Sequence, residues 1–234
     1  MKFWKRSPVL KKPEINAAHS LQSMIYSAHD DHATASNRLI QLALHSAQIA
    51  AQTNLDDLSS RLSGPPFYPN VWPGEHYKLL AGLVSALKPQ IVVEIGTATG
   101  LSSLALLKNL PTTGKLISYD LASWDELPNT VLTKLDFIDQ RFEHRVGDLS
   151  EEFFFHSQSQ DIQNADLIFI DATHDGELEQ KIFDRFRTLS FAPIIILDDI
   201  RFWTMLKMWR SINMPKLDLT SFGHWSGTGL VEWR

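Results

Sequence analysis

Residues 91–100 read IVVEIGTATG. A short β-branched run carries one acid, Glu94, and stops at Gly96; Gly100 follows, just ahead of a helix-forming stretch. Those residue types specify a buried strand, a tight turn poor in side chains, and a helix starting on its far side. Glycine allows positive φ and lets a ligand approach the backbone closely. The first turn of the helix leaves N–H groups free for a polar or anionic group. Glu94 narrows the ligand. A dinucleotide-phosphate loop uses G-x-G-x-x-G and keeps carboxylates away from the pyrophosphate. The spacing E-x-G-x-x-x-G predicts instead a ligand that brings positive charge or hydrogen-bond donors.

Outward from this stretch the pattern alternates. Strand-like runs fall at 115–120, 141–146, 166–170 and 193–197, with helical or loop segments between them. Near-continuous apolar strands separated by helices predict a parallel sheet covered on both faces. The tail differs: 216–222 and 228–233, joined by a Gly-rich turn, read as a closing antiparallel hairpin. Upstream, Leu80, Leu83, Val84 and Leu87 mark a helix over 74–87, which stops before Pro89. Residues 14–62 are also helical in period, with Leu21, Met24, Ile25 and Ala28 on one face and Leu39, Leu42, Ala43 and Ala47 on another. Gly64-Pro65-Pro66, Pro69 and Pro73 separate that region from the rest. The expected organisation is a helical extension or cap over 1–66 and an α/β domain over 67–234.

Composition limits the function classes. With 234 residues, 44% hydrophobic and 21% charged, the chain suits one soluble core with an accessory layer. A net charge of −5 argues against binding nucleic acid by phosphate neutralisation. The absence of cysteine excludes disulfides and thiolate metal sites. No apolar run is long enough for a membrane span, and the basic N-terminus lacks the apolar core of a secretory signal. The expected location is cytoplasmic, with no nucleic-acid or membrane partner.

In an open parallel sheet, ligands bind beyond the carboxyl ends of the strands. Each of the five runs delivers an acid there: Glu94, Asp120, Asp148 (after Gly147), Asp171, and the pair Asp198-Asp199. Acids are poor strand formers, so this arrangement reads as a site. Asp120, 26 residues after Glu94, is placed to accept from the two hydroxyls of a ribose, and Asp148 from an adenine amino group. S-adenosylmethionine, with its ammonium and sulfonium groups, answers that description. The alternative reading is that the glycines only close a turn and the acids cap helices.

From about residue 70 to 234 the chain resembles the class I S-adenosylmethionine-dependent methyltransferases. The segment EIGTATGLS is similar to the glycine-rich motif of the small-molecule O-methyltransferases of catechol, caffeoyl-CoA and macrocin type. The resemblance implies a Rossmann-like, doubly wound, mostly parallel seven-stranded sheet ending in the antiparallel hairpin. It also implies that Gly96, Thr97, Ala98 and Gly100 hold the methionine part of the cofactor, Ser102 its carboxylate, and Asp120 its ribose, with Gly147, Asp148 and Asp171 completing the site.

Asp171 ends DLIFID and Asp198-Asp199 ends IIILDD, on adjacent strands. Three carboxylates there repel one another unless protonated or neutralised by a cation. Hard oxygen donors suit Mg²⁺, and the metal-dependent O-methyltransferases are similar in this respect. The competing reading has the pair capping the next helix and Asp171 lying idle at the sheet edge. His174 occupies the position where catechol-type enzymes have a lysine base and sugar-type enzymes a histidine. It is read as the proton acceptor, with Asp171, or else as a loop residue that orders Asp171.

The expected activity is cation-assisted methylation of a small-molecule hydroxyl. Its rivals are a metal-independent N- or carboxyl-methyltransferase and a non-catalytic S-adenosylmethionine-binding module. The N-terminal helices are expected to cover substrate or to form a homodimer. His29-Asp30-Asp31-His32 reads as solvated helix-end charge, and Phe202, Trp203 and Trp209 as core. His224-Trp225, in the last turn, lies within reach of an acceptor pocket.

Overall fold

The apolar runs pair as their β-branched composition requires. In a computed structural model describing residues 33–65, 68–202 and 204–234, seven strands form one sheet: β1 Ile91–Ile95, β2 Lys115–Asp120, β3 Phe142–Val146, β4 Leu167–Ile170, β5 Ile194–Asp198, β6 Lys216–Asp218 and β7 Thr228–Glu232. The order is β3-β2-β1-β4-β5-β7-β6. The first five run parallel; β7 runs antiparallel to β5, and β6 antiparallel to β7. This is the expected doubly wound, mostly parallel sheet with an antiparallel end. The chain order reverses between β1 and β4, where such sheets open a ligand crevice.

Helices cover both faces. The side chains of Val92, Leu116, Leu167, Phe169, Ile194 and Ile196 point to one layer, filled by α1 (Asn37–Gln52), α2 (Asp56–Ser59), α3 (Tyr77–Leu87) and α4 (Leu101–Lys108). Their neighbours Val93, Ile117, Ile168, Ile195 and Val231 point to the other, filled by α5 (Glu152–Gln163), α6 (Glu177–Phe186) and α7 (Met205–Ser211). This period-two alternation places Glu94 on the first face, directly opposite Ser118.

Three boundaries differ from expectation for local reasons. α3 begins at Tyr77, because the backbone of Gly74 pairs instead with Gly223 and Trp225. β6 stops at Asp218, whose Oδ1 accepts from both N–H and hydroxyl of Thr220 and turns the chain. β5 runs one residue further than expected and carries Asp198 into the sheet. The helical period of 14–62 becomes α1 and α2; its first face and the 29–32 cluster lie outside the described residues, as does Trp203. Leu39, Ala43, Leu55 and Leu58 join the same apolar layer as α3 and α4. Ser36 caps α1 by accepting from Leu39 N–H, and its hydroxyl donates to Glu232 at 2.5 Å, tying the helix to β7. Buried Lys216 donates to the carbonyls of Trp209 and Ile212 at the end of α7. No helix among the described residues is long and apolar enough to cross a membrane.

Candidate active site

The β1–α4 turn works as its glycines require. Gly96 has φ +98° and Gly100 φ +85°. A Cβ on Gly96 would stand 1.9 Å from the Asp171 carbonyl oxygen, so β4 lies hard against the loop. Asp120 fixes the turn from β2: its Oδ2 accepts from the N–H groups of Thr97 and Ala98 at 2.9 and 3.0 Å. Beside it opens a cleft of about 200 Å³. Gly96, Ala98, Asp120, Gly147, Asp148 and Asp171 line it, with Tyr119, Leu121, Leu149, Leu178 and Ile182 as an apolar wall.

The other residues expected to hold the cofactor lie beneath this surface. Glu94 is fully buried and accepts from the hydroxyls of Ser103 and Ser118. Thr97 turns its hydroxyl to Ser118 at 2.6 Å, and Ser102 is buried beside Glu94. Gly100 packs under Leu132. Burial pushes the Glu94 carboxyl up to about 7 against the pull of the serine hydroxyls. Its Oε1 has no hydrogen-bond partner. Glu94 thus lies beneath the cleft and does not line it.

On the other side of the sheet's midpoint, Asp171, Asp198, Asp199 and His174 meet as expected, and they are joined by Glu75, His76 and His224. His174 Nδ1 lies 3.0 Å from Asp199 and its Nε2 3.4 Å from Asp171. His76 places Nδ1 3.4 Å from Asp198 and Nε2 3.9 Å from Asp171. His224 Nδ1 is 3.2 Å from both Asp198 and Asp199, and its Nε2 is 3.8 Å from Glu75. Ser226 donates to Asp199. The DATHDG loop is held by buried Glu179, which accepts from the N–H groups of His174 and Gly176 at 3.0 and 2.9 Å. Ala98, His174 and Asp199, all at this rim, have left-handed φ of 44°, 57° and 57°. Non-glycine residues in that region concentrate at functional sites.

Charge drives the titration of the cluster. The contact with Asp199 pushes His174 up to about 9, against its partial burial. Burial would lower His224, but Asp198, Asp199 and Glu75 push it up to about 10. Burial, reinforced by Asp198, raises Asp171 to about 7. The bonds from His174, His224 and Ser226 hold Asp199 far below the carboxylate range despite desolvation. Both exposed-side histidines therefore bind protons more tightly folded than unfolded, where the value is about 6.5. Their contribution to stability is complete below about pH 6 and is lost as pH rises through about 9 to 10. In EDTA the thermal midpoint is expected to fall from pH 7 to pH 10, and His224→Gln to flatten that slope. One pKa unit corresponds to about 1.4 kcal/mol, reduced here because both rings are partly open to solvent. A midpoint that is level over this range, or a slope unchanged in the variant, would contradict the pairing.

Glu75, His76 and Glu179 were not singled out from the sequence. The signal for Glu75-His76 is a polar pair immediately ahead of an apolar helix, at the same sheet end as the aspartates.

Comparison with known proteins bears on this site. The family model described as a methyltransferase domain matches residues 93–200, a span from β1 to just past β5. That stretch of the chain is similar to a methyltransferase domain. A search of curated proteins gives no match by sequence. The chain is similar in fold to the S-adenosylhomocysteine-bound methyltransferase PaMTH1 of Podospora anserina, with TM-score 0.52, 17% identity, and coverage of 82% of this chain and 88% of that one. It is also similar to a methyltransferase from Geobacter sulfurreducens, with TM-score 0.51, 19% identity, and coverage of 82% and 89%. At these identities the likeness is one of fold. The methyltransferase match covers the glycine turn, Asp120, Asp148, Asp171 and Asp198-Asp199, while His76 and His224 lie outside it.

Proposed function

We propose that the protein transfers the methyl group of S-adenosylmethionine to a hydroxyl oxygen of a small molecule, with help from a divalent cation. The observation that carries this reading is the position of Asp171, which lines the cleft and also faces His76 and His174 in the acidic cluster. A donor in the cleft and an acceptor over the cluster would thus meet at one residue.

The cleft suits the donor. Asp120 and Asp148 stand at the ends of β2 and β3 for the ribose and adenine, the apolar wall suits the ring, and Asp171 favours a positive centre. The donor supplies an electrophilic methyl group. The cluster suits a cation: Asp171, Asp198 and Asp199 are the carboxylates that would hold it, and its chemistry would be to lower the pKa of an acceptor hydroxyl. The remaining work falls to this chain's own groups. Asp171 and Asp199 orient the His174 ring, the most exposed of the three imidazoles and the one placed to take the acceptor's proton. Leu149 and Ile182, both buried, give the cleft an apolar wall.

The direct test is release of S-adenosylhomocysteine from a panel of catechols, sugars and other hydroxyl compounds, before and after EDTA and after Mg²⁺ is restored. Transfer that chelation does not affect would favour the metal-independent reading. Tight cofactor binding without transfer to any acceptor would favour the binding module. A base must be neutral to act, and His174 is raised to about 9 in the free protein. We therefore expect kcat/KM to rise with pH as His174 loses its proton, and His174→Ala to abolish that slope. A flat profile in the unaltered enzyme removes His174 from the proton's path.

A further inference from the structure

His76 is 4% exposed, and neither ring nitrogen has a hydrogen-bond partner. Leaving such groups unpaired in the interior costs on the order of 1–3 kcal/mol each. Both nitrogens nevertheless point at carboxylates, at 3.4 and 3.9 Å. His224 meets it from the other side, the two ring centroids 5.5 Å apart. His76, Asp198 and His224 each bring one donor atom to within 4.8 Å of the others. The two imidazole Nδ1 atoms approach the same oxygen, Asp198 Oδ2, at 3.4 and 3.2 Å. With metal–ligand bonds of about 2.0–2.1 Å, adjacent ligands of a tetrahedral ion stand about 3.3 Å apart. The 3.4 Å approach of His76 is long for a hydrogen bond, and both separations fit two donors sharing one ion.

We infer that His76, Asp198 and His224 form a binding site for a divalent transition ion of the Zn²⁺ or Co²⁺ class. The donor chemistry decides the class: two imidazoles and one carboxylate suit borderline ions, whereas Mg²⁺ takes oxygen and water. The surroundings agree. Histidines that ligate a metal usually turn their other nitrogen to a carboxylate, which fixes the ring and its tautomer. Here Asp171 stands behind His76 Nε2 and Glu75 behind His224 Nε2. Asp199 is taken up by His174 and Ser226, so it supports the site from outside. This changes the ligand set and the class of the cation in the proposed function, with Asp171 and Asp199 as supports in place of ligands; it takes from that reading only that a cation binds at Asp198, and nothing about methyl transfer.

The test is direct binding to the whole protein after chelator treatment. Co²⁺ is titrated while its visible ligand-field absorption is followed, with Zn²⁺ and then excess Mg²⁺ as competitors. The expected result is one Co²⁺ per chain, displaced by Zn²⁺ and not by Mg²⁺. His76→Ala and His224→Ala should each lose at least about 100-fold in affinity, and Glu75→Gln about 10-fold, the scale of a lost supporting carboxylate. Circular dichroism and S-adenosylhomocysteine binding report whether each variant is folded; neither histidine lines that cleft. Displacement by Mg²⁺, or His variants that bind like the parent while Asp171→Asn and Asp199→Asn do not, would assign the ion to the carboxylates and overturn the inference. Absence of any Co²⁺ or Zn²⁺ binding would overturn it too. If the ion binds as expected while no acceptor is methylated, the proposed activity fails and the site stands.

Discussion

Gly96→Ala is expected to destroy cofactor binding and to lower the thermal midpoint sharply. The new Cβ would stand 1.9 Å from the Asp171 carbonyl oxygen and 2.7 Å from its carbon, both backbone atoms at the end of β4. Neither partner can yield. The Asp171 N–H is bonded to the Ile95 carbonyl and the Gly96 N–H to that of Tyr119, each at 2.9 Å, so loop and strand are fixed on both sides. Alanine would also have to hold φ +98°. Left-handed strain and overpacking together come to about 2–6 kcal/mol. For a chain of this size that is a drop of about 4–24 °C. Thermal unfolding and titration with S-adenosylhomocysteine measure the two effects. Gly64→Ala, where nothing lies within 4 Å, is the control and should change little. A Gly96→Ala protein with parental midpoint and affinity would mean that β4 does not press on the loop.

Asp198→Asn is expected to give the other large effect. Its carboxylate lies between His76 and His224 and is almost fully buried. The amide keeps shape and volume and removes only the charge. Losing one partner of a buried ion pair costs about 3–5 kcal/mol, less whatever His76 recovers by releasing its proton. Binding of a divalent ion should fall more than about 100-fold, and cation-assisted transfer with it. Asp148→Asn, across the sheet in the cleft, should leave ion binding intact while weakening the cofactor. An Asp198→Asn protein that binds the ion as the parent does would remove this residue from the site.

These two positions also mark what the sequence made legible. Gly96 belongs to a strand–turn–helix pattern within a dozen residues, where composition and spacing suffice. Asp171 and Asp198-Asp199 were legible for a similar reason: an acid ending a β-branched run has few structural purposes. The Asp198 partners were not, because His76 and His224 belong to segments with neither period nor motif. They meet through contacts such as the backbone pairing of Gly74 with Gly223 and Trp225, which local pattern does not encode. Glu94 fell between the two cases. Its place at the end of β1 was readable, but its direction depends on strand alternation against Ser118, so a residue expected to face the ligand lies below it.

That pairing has a consequence for assembly. The walls of the cofactor cleft come from one continuous stretch of chain, from Ile95 to Ile182. The histidine cluster, by contrast, closes only when the segment before α3 reaches the last hairpin turn, where Trp72 donates to the Phe222 carbonyl across 150 residues. Contacts so distant in sequence bear the greatest loop-closure entropy and tend to form late. The acceptor side of the site is therefore completed only by both ends of the described fold, and a chain folded through its middle alone would hold a donor with nowhere to send it.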